Sequence, residues 1–209
     1  MEIFGEDKAF LPMTLDGALK DDDDDDATEE VLGMPIFHDT GAKDNYGQVL
    51  FLLDLESFKT SKLDDNALTR AVLYVVQSRM EADEDAQRRG VVLQILPARS
   101  PKMWNMRFTK NILSWMRTGA PVRIACIQVF HTTPGLFNVM FHIMRTLAGE
   151  LACRMKIFGD GGKTNNNALL LAKLQSFGVE KSQLVTQLGG DLVLPDRKQW
   201  LQERRDAGL

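Results

Sequence analysis

Chemistry in this chain would have to rest on three histidines, two cysteines and one glycine-rich hexapeptide. GDGGKT (Gly159–Thr164) ends in Gly-Lys-Thr, follows a strand-like stretch and precedes a helix-like one. A phosphate cradle of the G-x-x-x-x-G-K-[ST] type needs a glycine five places before Gly162, so that enough backbone N–H groups wrap the phosphates. Ile157 stands there. The loop therefore reads as a flexible strand-to-helix turn, with an anion site at the following helix N-terminus as the alternative. His38 lies in an acidic stretch. His131 and His142 flank a Pro-Gly turn with no carboxylate or cysteine at ligand spacing between them. No G-x-S-x-G elbow accompanies them, and a general base needs an orienting partner. Cys126 and Cys153 sit in apolar runs and match no metal-ligand spacing. These readings predict a protein that is not an enzyme and carries no cofactor or metal.

The elements around these residues say more. Ile124 to Met144, IACIQVFHTTPGLFNVMFHIM, holds no charged side chain over 21 residues, the length of a bilayer span. Gln128, Asn138 and the break at Pro134–Gly135 argue against one. Two elements fit better: a strand over 124–130 and a helix over 136–153, joined by a turn at 131–135. Phe137, Met140, Phe141, Met144, Leu147, Ala148 and Leu151 recur at helical spacing on that helix. Such a stripe is either an ordinary core face or a movable lid over an apolar cavity, with methionine and phenylalanine adapting to a guest.

Strands are further predicted at 49–53, 91–96 and 156–158, and helices at 65–84, 101–118 and 165–177. On the second helix Trp104, Phe108, Ile112, Trp115 and Met116 mark the apolar side, and Gly119 sits at a C-cap position. Alternation of strand and helix predicts an α/β fold with a mixed, largely parallel sheet.

Charge divides the chain. Residues 1–47 contain 14 acidic and 3 basic residues, a net charge of −11; residues 48–209 contain 15 and 22, a net charge of +7. Asp21–Asp26 repels itself and has no periodicity. Residues 1–43 are thus expected to form a disordered acidic arm, 44–195 the folded domain and 196–209 a charged tail. An arm of this charge could compete with anionic headgroups for the basic body. The N-terminus has no signal-peptide pattern, so the expected location is cytoplasmic. No aromatic-basic interleaving points to nucleic acid as a partner.

Four segments in order resemble the CRAL-TRIO lipid-binding domain family. They are DNYGQVLF (44–51), RRGVVLQILPARS (88–100), APVRIACIQVFHTTPGLF (120–137), and KIFGD with VEKSQLVTQLGG (156–160 and 179–190). The resemblance implies a sheet that floors an apolar lipid pocket, covered by helices that include a gate helix. Carried over, Ile124, Ile127, Val129, Phe137, Met140, Phe141, Met144, Leu147 and Leu151 form the pocket and gate, and Pro134 and Gly135 the hinge. Lys156, Cys153 and His131 become candidates for a headgroup. The sequence departs from the family in places. The segment from Pro121 to Pro134 is one residue longer than usual. Val122 and Cys153 replace the Glu and Thr of phosphatidylinositol binders, and residues 1–43 are too acidic and aperiodic to supply the family's N-terminal helical subdomain.

The implied function is non-enzymatic binding, and intermembrane transfer, of a phospholipid, phosphoinositide or other small lipid by a protein that visits membranes peripherally. Acyl burial would supply affinity at about 0.8 kcal/mol per CH₂. The alternative is a protein-interaction or signalling module of the same fold with a closed pocket. A nucleotide-binding enzyme built on Gly161–Thr164 ranks last.

Overall fold

A computed structural model describes residues 31–55, 65–96, 105–118, 122–131, 134–159 and 167–207; the side chains of His131, of residues 134–140 and of Asn167 fall outside the described part. Five strands form one sheet: β1 (Phe37–Lys43), β2 (Val49–Asp54), β3 (Val91–Leu96), β4 (Ile124–His131) and β5 (Met155–Gly159). They lie in chain order across the sheet. β1 pairs antiparallel with β2, and the other three pairings are parallel. VLFLLD and VVLQIL have no polar alternation because both faces of a parallel sheet are covered.

The helices are α1 (Asp65–Ala82), α2 (Glu84–Arg89), α3 (Met106–Thr118), α4 (Pro134–Ala148), α5 (Asn167–Gln175) and α6 (Arg197–Asp206). Right-handed crossovers between neighbouring strands taken in order lay their helices on one face. Accordingly α1, α3 and α4 share one core with Val49, Phe51 and Leu53 of β2. The intervening Leu50 and Leu52 point into a second core with Leu174 of α5 and with Val185 and Leu188.

Sequence and structure differ at three boundaries. The fold does not start at Asp44. Val31, Leu32 and Ile36 are buried, and β1 adds an edge strand whose Phe37 stacks on Phe51 at 5.4 Å. One polar cluster ties this strand to the helices: Lys43 reaches Asp83 at 2.8 Å, and Arg79 reaches Asp39 at 3.6 Å and Asp83 at 3.1 Å. Asp83 also caps α2. Residues 1–30 lie outside the described residues.

The C-terminal stretch is a docked helix rather than a tail. Leu201 is buried, Trp200 meets Tyr74 edge to face, and Arg197 Nε donates to the Leu32 carbonyl at 2.8 Å. Charge had masked an apolar anchor of two residues.

The helix expected to reach Cys153 stops at Ala148. Gly149, at φ +54°, turns the chain into a 3₁₀ segment, Gly149–Arg154, that leads into β5. Residues 97–104 and 160–166, which carry the predicted start of α3 and most of GDGGKT, lie outside the described residues.

Candidate functional site

The layer between the sheet and α1, α3 and α4 gathers most of the pocket residues expected from sequence. Ile124, Ile127, Val129, Met144 and Leu151 are buried there, and Phe141 and Leu147 pack on them half-buried. Ile124 and Ile127 share a face although three residues separate them. The pairing Val91–Ile124 is followed by Val92–Cys126, so β4 bulges and Ala125 has no partner opposite it. A bulge seats one extra residue in a strand. Pro134 and Gly135 open α4, and Phe137 and Met140 follow in its first turns.

Two voids of about 20 Å³ each lie in this layer. One extends from Ile124 and Val122 to Val72 and Val76 of α1 and Trp115 of α3. The other extends from Leu55 and Ile95 to Met144 of α4 and Met155 of β5. Leu53, Phe108, Ile112 and Met116 line both and so form the partition between them. Among the described residues the walls are apolar apart from the Trp115 indole and Thr109, whose hydroxyl already donates to the Asn105 carbonyl at 2.8 Å. This volume holds about one water, while pockets for drug-sized ligands measure about 300–1,000 Å³.

Sequence reasoning placed the pocket under α4 and overlooked α3, whose side chains line both voids. The signal was present in the apolar spacing of Phe108, Ile112 and Met116. Missing was the strand order that sets α3 over the same floor.

The headgroup candidates do not converge on these voids. Lys156 pairs with Gln128 across β4–β5 and is exposed. Its neighbours Met155 and Ile157 pack in the helix layer, so alternation sends Lys156 to the other face, with Phe158. Its charge is felt there by Cys126, whose thiol burial pushes up and Lys156 draws partly back. Cys153 is exposed on the 3₁₀ segment and donates its thiol to the Glu150 carbonyl. His131 ends β4.

The second face carries a polar row that the sequence reading did not single out. His38, Leu52, Gln94, Gln128 and Lys156 align across all five strands. Gln94 and Gln128 are fully buried, and Gln94 Nε2 donates to Gln128 Oε1 at 3.0 Å. Gln94 Oε1 has no partner among the described residues.

No group of His, Cys, Asp and Glu among the described residues could hold a metal ion. No described helix is long and apolar enough to cross a membrane.

No curated protein matches the chain. The profile of the CRAL/TRIO domain family matches residues 40–190, which begin within β1 and end at the double glycine Gly189–Gly190. That match spans the whole sheet but for the start of β1, all of its crossover helices and most of both cores, and the chain belongs to the CRAL/TRIO domain family.

Proposed function

We propose that this domain binds an apolar, chain-bearing ligand between the β2–β5 floor and helices α3 and α4, and carries it between membranes without catalysing a reaction. The carrying observation is the pair of voids. Both lie along one sheet face beneath α3, and among the described residues four side chains, Leu53, Phe108, Ile112 and Met116, stand between them. An acyl chain entering here would push Met116 and Met144 aside, and methionine yields to such a guest at small cost. Family membership supports the same reading. On it, the described layer is the closed form, and α3 and α4 swing outward together to admit the ligand at a membrane surface. Phe137, Met140 and Phe141 belong to the moving element, and Pro134 and Gly135 to its hinge. Lys156 would meet a headgroup only around the β5 edge of the sheet, so the proposal rests on chain burial rather than on headgroup selection.

Native mass spectrometry of protein purified from cells tests this directly, together with lipid exchange between vesicles. Co-purified lipid and measurable exchange are expected. A protein free of lipid that exchanges none would defeat the proposal. The smallness of the voids favours a second reading, a protein-interaction module whose pocket is filled by its own side chains. A ligand-free protein that still captures a defined protein partner would be its result.

A further inference from the structure

The N-terminal edge of β3–β5 carries a band of arginines with few acids to answer it. α2 ends on Arg88 and Arg89, α3 has Arg117 in its last turn, α4 has Arg145, and the 3₁₀ segment ends on Arg154. Arg123 immediately precedes β4. All six are exposed. Contacts place Arg123, Arg154 and Arg117 along this edge. Val91 N donates to the Arg123 carbonyl at 2.9 Å, and Arg154 Nη1 donates to the Ile124 carbonyl. Arg117 Nη1 lies over Gly149, 3.1 Å from where a Cβ would be.

Arg88 and Arg89 pair with Glu84 and Asp85 on their own helix. Arg117, Arg123, Arg145 and Arg154 have no carboxylate within ion-pair distance among the described residues. Glu150 is the nearby acid in the sequence, and it too is exposed. A cation in a last turn favours the helix C-terminus, which accounts for Arg117 and Arg145 singly. It does not account for Arg123, nor for their convergence.

The same chain holds the complementary charge. Residues 1–30 contain 12 acidic and 2 basic residues, six of the acids in the unbroken run Asp21–Asp26. We propose that the Asp21–Asp26 run docks on the Arg117–Arg123–Arg145–Arg154 band of its own chain and screens it from other anions. The run lies five to ten residues ahead of Val31, a reach of up to about 18 Å for Asp26 and about 35 Å for Asp21. β4 is three strand spacings from β1, about 14 Å, and β1 starts at the opposite edge of strands about 20 Å long, so the band lies about 24 Å away, within reach of the first aspartates of the run. Each exposed pair is weak alone. A tether holds the run at an effective concentration near millimolar, where several weak pairs populate the docked form. The proposal stands independently of whether the apolar layer admits a lipid.

The test uses the full chain with Cys126→Ser and a nitroxide on the native, exposed Cys153, next in sequence to Arg154. At about 20 mM salt the amide signals of Asp21–Asp26 are expected to lose most of their intensity. At about 0.5 M salt, where screening acts within about 4 Å, they should recover. Replacing the four arginines by glutamine should abolish the broadening. So should Asp21–Asp26→Asn, which changes no described residue and so covers the case in which the arginine variant misfolds. Signals unaffected at low salt, or equally broadened in the asparagine variant, would overturn the proposal.

Discussion

Ile124 and Ile127 point to the same side of the sheet across three residues of β4, because the strand skips Ala125 in its register with β3. Side chains in a regular strand alternate, so without the bulge one of the two would leave the helix layer. Deleting Ala125 should therefore be tolerated. Val91–Ile124 and Val92–Cys126 are already the pairs that a regular ladder would make. The deletion variant is expected to melt within a few degrees of the parent. Inserting an alanine after Ile127 turns Val129 and Phe130 to the wrong faces and should prevent folding. Circular dichroism melting curves of the two variants check this.

The Gln94–Gln128 pair makes a sharper prediction. Gln128→Leu strips Gln94 of its acceptor while its Oε1 is already without a partner among the described residues. A buried polar group left unsatisfied costs about 1–3 kcal/mol. The double variant Gln94→Leu/Gln128→Leu removes every orphaned atom and adds apolar contact to the second core, so it should recover the loss. Urea denaturation of the two single variants and the double variant measures the coupling. A double variant as unstable as the sum of the singles would mean that the pair has no special role.

What was legible in the sequence follows from which signals are local. The apolar runs of β2, β3 and β4 and the stripes of α1, α3 and α4 are periodicities within one element, and each locates its element, though the stripe of α4 runs on past the turn at Gly149 that ends the helix. β1 was missed because FHDTGAK holds one large apolar residue among polar ones, with no alternation to mark a strand, and Phe37 finds its partner Phe51 only across the sheet. α6 was missed for a similar reason: Trp200 and Leu201 are two apolar residues among charges. Lys156 was set beside the pocket by motif position alone. The alternation of β5 sends it to the opposite face, a fact the five residues of that strand state only once Met155 is known to be buried.

Acid should loosen the junction between β1 and α6. Burial holds the His38 imidazole below its ordinary value; a hydrogen bond to the Pro35 backbone opposes this, nearby Arg197 adds to it, and Asp54 opposes it more weakly. The native state then binds fewer protons than the unfolded chain, whose histidine titrates near 6.5. The resulting stability is present above about pH 6.5 and is lost as pH falls from there through the lowered native value. His38→Gln should flatten melting temperature against pH between about 7 and 5. Asp39 acts with the opposite sign, since burial raises its carboxyl, but in the lower window above 3.8. A variant curve parallel to the parent over pH 7 to 5 would exclude His38 as the source.

The partition between the two voids is the most direct handle on the proposed pocket. Met116 borders both and is almost wholly buried. Met116→Ala should merge them into one cavity and cost about 2–5 kcal/mol, the range for large-to-small core changes. An unoccupied cavity of this kind stays dry and accepts apolar guests. If the layer is a lipid site, long-chain lipid should restore part of the lost melting temperature in Met116→Ala, because binding to the native state alone stabilises it by mass action. Ile112→Trp fills the partition from the same helix and should abolish both co-purified lipid and vesicle exchange while the circular dichroism spectrum stays native. Full exchange by a folded Ile112→Trp protein would place the ligand elsewhere on the domain.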